Sequence, residues 1–254
     1  WEYVDRNPFH KGALPKIKSA PSVFLSPEQI QLLLHHCSVS WLRLAIELSF
    51  VCTLRRGELL ALTWDNINWE QNSLQISKTL CRVSKDAMLM LEERDVLHVF
   101  PTEAHSKTVL VLKSPKTESS NRIVYLPPSL KYSLLEWQNE QKKSAIGELP
   151  RLIFTYEDNR PLQGGVLTKH FQGLLTKCNL PKVTFHSLRH SSITYKLVLT
   201  GGDIKAVQGD SGHSQADMIT EIYGHILDAN RRKNTERFEG EFYQNYGIIS
   251  CNRT

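Results

Sequence analysis

HSLRH at 186–190 and GHSQADMITEIYGHI at 212–226 put three chemically matched side-chain types into one short part of the chain. His186 and Arg189 are spaced i and i+3, so a helix would carry both on one face. His213 follows Gly212, and Tyr223 stands ten residues after His213. A phenol that attacks phosphorus needs cationic donors on the non-bridging oxygens and an imidazole to handle protons. A second arginine waits upstream in CTLRRGELLAL at 52–62. The combination points to phosphoryl transfer through a protein tyrosine.

Each of these residues also has an ordinary reading. Arg55 could cap a helix or pair with Glu58 three residues on, and Lys116 on a polar turn could simply be solvated. His186 and Arg189 have the spacing of any surface-helix pair. His213 could begin a helix, and Tyr223 could be a core aromatic with a satisfied hydroxyl. Their order along the chain gives the chemical reading its weight.

In that order the chain resembles the catalytic domain of tyrosine recombinases, the phage-type integrases. Their first arginine, set in T-G-L-R-x-G-E, falls on Arg55 of Thr53-Leu54-Arg55-Arg56-Gly57-Glu58. Their lysine, carried on a β-hairpin turn, falls on Lys116 of Ser114-Pro115-Lys116-Thr117. The histidine-x-x-arginine pair falls on His186 and Arg189, the second histidine on His213, and the nucleophile on Tyr223. The runs VQGDSGH at 207–213 and IYGHILDANRRKN at 222–234 look most like integrases of conjugative transposons. The likeness covers roughly residues 23 to 230, and a motif counts only where its context agrees.

The resemblance implies an α+β fold, mainly helical, with a small antiparallel sheet and a C-terminal tail helix. It implies a linker and the end of a preceding DNA-binding domain over 1–22, a catalytic domain over 23–227, and a tail over 228–254. It implies cutting and rejoining of DNA through a 3′-phosphotyrosine, for excision and integration of a mobile element, with no cofactor, metal or ATP. Arg55 and Arg189 would hold the phosphate with bidentate donors that stay protonated. His213 would add a hydrogen bond, His186 would help accept the Tyr223 proton, and Lys116 would protonate the departing 5′ oxygen. The implied partners are double-stranded DNA, further copies of the chain as a tetramer at synapsis, and an excisionase or DNA-bending protein. The implied place is the bacterial cytoplasm, at the nucleoid when bound. Lys113, Arg122, Thr168 and Lys169 are further candidates for phosphate contacts, beside the lysine turn and at a helix start.

Composition agrees with this without deciding it. The 254 residues can bury a substantial core, and 31 Lys+Arg against 26 Asp+Glu give a net charge of +5, compatible with a polyanionic partner. Five cysteines, Cys37, Cys52, Cys81, Cys178 and Cys251, are odd in number and form no C-x-x-C, so they read as reduced thiols. No apolar run is long enough to span a bilayer, and no segment reads as a signal peptide.

The local pattern is mostly helical with one strand-rich interruption. WEYVDRNPFHKGALPKIKSAPS at 1–22 has the prolines and cations of a linker. Ser26-Pro27-Glu28-Gln29 supplies an N-cap, a first-turn proline and a capping-box glutamine. WLRLAIELSFVCTL and GELLAL predict two packed helices with Arg55 at their junction. INWEQNSLQI at 67–76 predicts two strands around a polar turn, and TVLVLKSP with NRIVYLP predicts a hairpin with KTESS, and so Lys116, at its tip. Residues 84–106 read as an insertion that could form a short helix or extra strands. LKYSLLEWQNEQKK, GGVLTKHFQGLLTKC, HSLRHSSITYKLVL and DMITEIYGHI read as helices. In the tail, Asp228 could cap a helix whose Phe238 and Phe242 form an apolar stripe; the resemblance implies that it docks on a neighbouring protomer, with packing in cis on its own domain as the alternative.

Two other classes fit poorly. His186 and His190 have the i, i+4 spacing of a zinc-protease helix, but Ser187 stands where H-E-x-x-H needs its glutamate. A metal-dependent transposase needs converging carboxylates; Asp203, Asp210 and Asp217 are evenly spaced, yet Asp203 after Gly201-Gly202 reads as a helix N-cap. A non-catalytic DNA-binding module and a type IB topoisomerase are the nearer rivals. The lysine turn and the GHS segment with its downstream tyrosine favour a recombinase.

Overall fold

The computed structural model describes residues 23–88, 95–102, 105–115, 120–144, 151–212 and 235–244. Helix α1 (Pro27–His36) starts where Ser26 accepts from the Gln29 backbone N–H while Gln29 reaches back to the Ser26 N–H, the reciprocal box its sequence predicts. Helix α2 (Ser40–Val51) is the hub of the helical core. Leu42, Leu44, Ala45, Ile46 and Leu48 are all buried, because α1, α5 (Pro128–Ser144), α6 (Gly164–Lys177) and α7 (Ser187–Leu199) pack around it. An element apolar on nearly every side can only sit where it has neighbours on every side.

Between α2 and α5 lie α3 (Arg56–Leu60), a 3₁₀ turn (Trp64–Asn66), and strands β1 (Ile67–Asn68), β2 (Ser73–Ile76) and β3 (Thr79–Ser84). They are followed by a short α4 (Lys85–Met88), β4 (Val96–Phe100), β5 (Thr108–Lys113) and β6 (Arg122–Tyr125). The strands form two antiparallel three-stranded sheets, ordered β1-β2-β6 and β3-β5-β4. The β1–β2 turn is the predicted one. The predicted β5–β6 hairpin is not formed: β5 lies between β3 and β4, and β6 pairs with β2 in the other sheet.

Burial explains the difference. β5 carries four consecutive buried residues, Val109 to Leu112, which calls for cover on both faces and a strand on either side. β6 alternates, with Arg122 and Val124 inward and Ile123 and Tyr125 outward, which suits a half-covered position. The 84–106 segment is thus no appendage, since it contributes α4 and β4 and so completes the second sheet.

Gly57 is where α3 meets this sheet. A Cβ at Gly57 would lie 2.5 Å from Thr79 Oγ1 and 3.1 Å from the Leu80 carbonyl oxygen, so only glycine lets α3 approach β3 this closely. We expect Gly57→Ala to destabilise the fold by about 1–3 kcal/mol, as overpacking does. Equal denaturant midpoints for the variant and the parent would show that the contact yields without cost.

Helix α8 (Ile204–Ser211) packs on α7 through Val207, Ile193 and Leu197 and begins at the predicted N-cap, where Asp203 accepts from the Ala206 N–H. It ends on Gly212 in the left-handed conformation (φ 63°, ψ 38°). In the tail, residues 235–238 are α-helical and Glu239–Gln244 forms a π-helix, with Phe238 57% exposed. The linker 1–22, the DMITEIYGHI helix, and Asp228 fall outside the described residues. No helix among the described residues is long and apolar enough to cross a membrane.

Candidate active site

Arg55 is the N-cap residue of α3, in extended backbone geometry at the end of the α2–α3 link, as its sequence position predicts. Its backbone N–H donates to Glu58 Oε2 at 2.9 Å, its Nη1 to Glu58 Oε1 at 2.7 Å, and its Nη2 to the Gly212 carbonyl at 3.3 Å. The pairing with Glu58 and a place in the site therefore coexist. Burial pushes the Glu58 carboxyl up, but the Arg122 guanidinium and the Arg55 N–H groups outweigh it and hold the acid below the usual carboxylate range. Glu58 is an anion that fixes cations.

Arg189 enters from the first turn of α7 and is the largest fully buried side chain among the described residues, 1% exposed. Its Nη1 donates to the Thr53 carbonyl and its Nη2 to the Ser211 carbonyl, each at 2.6 Å. Buried charge is tolerated only when hydrogen-bonded, and here main-chain carbonyls from two distant segments supply the acceptors. Arg55 and Arg189 are thus tied to adjacent carbonyls, Gly212 and Ser211, at the end of α8.

His186 is the N-cap residue of α7 and keeps one side open to solvent. Its ring meets His190 edge to face, with centroids 5.0 Å apart. Burial of its inner side, then the His190 ring and the guanidiniums of Arg189 and Arg55, pull its pKa down to about 4. The imidazole is therefore neutral near pH 7 and able to accept a proton. A histidine whose folded pKa lies below its ordinary 6.5 opposes protonation. Stability is then retained above about 6.5 and lost as the pH falls toward 4. The melting temperature should drop across that window, and His186→Asn should flatten the drop. An unchanged slope in the variant would assign the titration elsewhere.

The structure thus brings Arg55, His186 and Arg189 together. Lys116, His213 and Tyr223 lie outside the described residues. Gly212 does not, and its carbonyl is anchored by Arg55. Of the further phosphate candidates, Lys113 ends β5 half-buried and Lys169 is exposed on α6. Thr168 donates to the Gly164 carbonyl at 2.8 Å and accepts from Arg56 Nη1 at 3.3 Å. Arg122 requires a correction: its Nε, Nη1 and Nη2 donors are taken up by Glu58 and by the Asp210, Ser120 and Thr53 carbonyls, so it is an interior group and not a surface cation awaiting phosphate. The inward register of Arg122 with Val124 was the signal for this, since residues two apart on a strand share a face.

Fold and site together define a phage-type integrase catalytic domain: residues 23–230 match the Phage integrase family, and the chain belongs to it. Among its relatives is the "Tyrosine recombinase XerC-like" protein of Caldanaerobacter subterraneus subsp. tengcongensis. It is 27% identical over 188 residues, which cover 71% of this chain and 44% of that protein. The ICEBs1 integrase of Bacillus subtilis is 25% identical over 197 residues, covering 75% and 46%. The chain thus spans about half the length of the curated relatives it matches. Among solved structures, the Tn1549 transposon integrase superposes with a TM-score of 0.70 at 23% identity, covering 92% of this chain and 72% of that one.

In the family's T-G-L-R pattern Thr53 takes the place of the glycine, and it has φ 55°. A β-branched residue in the left-handed region is strained. The Thr53 hydroxyl is held by Ser192 Oγ at 2.8 Å. We expect Thr53→Ala to be less stable than Thr53→Gly by about 1 kcal/mol, because both lose that bond and only glycine loses the strain. The reverse order of melting temperatures would mean that the strain is relaxed in solution.

Proposed function

We propose that the chain is the catalytic part of a site-specific DNA recombinase that excises and integrates a mobile element. The observation that carries this reading is the convergence of Arg55 and Arg189 on adjacent carbonyls at the end of α8, with His186 at the start of the helix that bears Arg189. In-line attack on a phosphodiester gathers negative charge on the non-bridging oxygens, and fixed guanidiniums are suited to meet it. A guanidinium carries five N–H donors, so anchoring it on carbonyls is compatible with phosphate contact.

In the proposed sequence Tyr223 Oη attacks phosphorus while its proton passes toward His186. The bond from phosphorus to the 5′ oxygen breaks, and Lys116 protonates that oxygen. The result is a 3′-phosphotyrosine and a free 5′ hydroxyl. A 5′ hydroxyl from a second strand then attacks the phosphotyrosine and restores the tyrosine, so no ATP is consumed. His213 adds a hydrogen bond to the same phosphate.

Double-stranded DNA as partner is supported by relatives seen with circular intermediate DNA and transposon right end DNA. Assembly as a tetramer, with tail residues 228–254 on a neighbouring protomer, and recruitment of an excisionase or DNA-bending protein belong to the same proposal. The exposed Phe238 is compatible with tail docking. The test is a nicked duplex, selected for binding from a random pool, incubated with the chain in excess EDTA. A denaturant-resistant protein–DNA adduct is expected. An adduct formed only when Mg²⁺ is restored, or none at all, would sink the reading.

A further inference from the structure

Arg122 begins β6 and points into the protein with a side chain 6% exposed. Its Nη2 donates to Glu58 Oε2 at 2.9 Å and its Nη1 to Glu58 Oε1 at 3.3 Å, a two-pronged pair. Its Nε donates to the Asp210 carbonyl at 2.8 Å, with longer bonds at 3.4 Å from Nη2 to the Thr53 carbonyl and from Nη1 to the Ser120 carbonyl. Glu58 in turn holds both the backbone and the guanidinium of Arg55. One planar cation therefore ties the strand that follows the Lys116 segment to α3, to the α2–α3 link and to the end of α8.

Three guanidiniums close on that helix end in register: Arg122 on the Asp210 carbonyl, Arg189 on the Ser211 carbonyl and Arg55 on the Gly212 carbonyl. Carbonyls at a helix C-terminus lack intrahelical partners and carry the negative end of the helix dipole, so cations are favoured there. Arg55 and Arg189 belong to the proposed phosphate site. Arg122 faces away from solvent, and its contacts are those of a spacer between α3 and the end of α8.

We propose that Arg122 is a positioning residue for strand cleavage, acting on Arg55 through Glu58 and through the end of α8. This rests on the recombinase reading above. A lysine at 122 would keep the charge but present one ammonium, which cannot reach Glu58, Thr53 and Asp210 together. Catalytic groups displaced by about 1 Å lose roughly 10²-fold in rate, so the chemistry should respond more than the fold does.

The test uses the full chain and the nicked, pool-selected duplex. Adduct formation by the parent chain establishes the recombinase reading, and its absence defeats that reading whatever Arg122 does. With the parent active, Arg122→Lys should bind the duplex with affinity within about twofold and form adduct at least about tenfold more slowly at saturating DNA. Cleavage by Arg122→Lys at the parent rate, or a rate loss matched by an equal loss of affinity, overturns the proposal. If Arg122→Lys does not fold, the decision passes to Glu58→Gln/Arg122→Gln, which removes both buried charges. Slow cleavage at parental stability supports positioning. Parental cleavage in the double variant, or failure of the double variant to fold, reduces Arg122 to a purely structural group.

Discussion

Tyr223→Phe should form no covalent adduct on the nicked duplex while binding it as tightly as the parent chain. The substitution removes one oxygen, the atom that would bond to phosphorus, and leaves the ring. An unperturbed phenol has a pKa of about 10 and is a weak nucleophile at neutral pH, so its attack depends on a base and on fixed positive charge. In the proposed site His186 is that base and the two arginines are the fixed charge. Loss of the nucleophile should therefore be total rather than graded. An adduct that survives in the Phe variant would move the nucleophile to another side chain, and loss of binding would make Tyr223 a recognition residue.

Arg189→Lys should lose both stability and activity although it conserves charge. Arg189 bridges the Thr53 and Ser211 carbonyls, which come from segments far apart in the sequence. One ammonium can serve one of them well, leaving the other carbonyl buried without its charged donor at a cost of about 1–3 kcal/mol. The same change would take a guanidinium out of the proposed phosphate site, and removal of one such donor typically slows chemistry by roughly 10²–10³-fold. Thermal unfolding and single-turnover adduct formation measure the two losses separately. A variant that melts with the parent would show that the carbonyls relax onto other donors. One that cleaves with the parent would remove Arg189 from the phosphate site.

The features legible in the sequence were those carried by local chemistry. The Ser26 capping box, the Asp203 N-cap, the junction that holds Arg55, and the i, i+3 pair of His186 and Arg189 all involve residues within one turn of each other. Strand pairing is a non-local choice, and it was here that the reading failed. TVLVLK and NRIVYLP are neighbours in sequence and have strand composition, yet each pairs with a strand that came earlier. The four-residue buried run of β5 held the clue that it needed two partners.

Arg122 was assigned to phosphate contact for a related reason. A cation beside a polar turn looks solvated unless the period-2 register is followed inward and an acid such as Glu58, 64 residues away in sequence, is there to meet it. The ties from Arg55, Arg122 and Arg189 to the end of α8 were equally invisible, since main-chain acceptors leave no trace in side-chain identity.

Cys52 stands one residue before the carbonyl that receives Arg189 and Arg122, with no exposed surface. Burial pushes its thiol up to about 12, so in the closed protein there is neither access for an alkylating reagent nor an appreciable thiolate to attack one. Among the described cysteines, Cys81 and Cys178 are partly exposed and should react before Cys52. The slow modification of Cys52 then acts as a clock on local opening around the arginines, read by mass and independent of any DNA sequence.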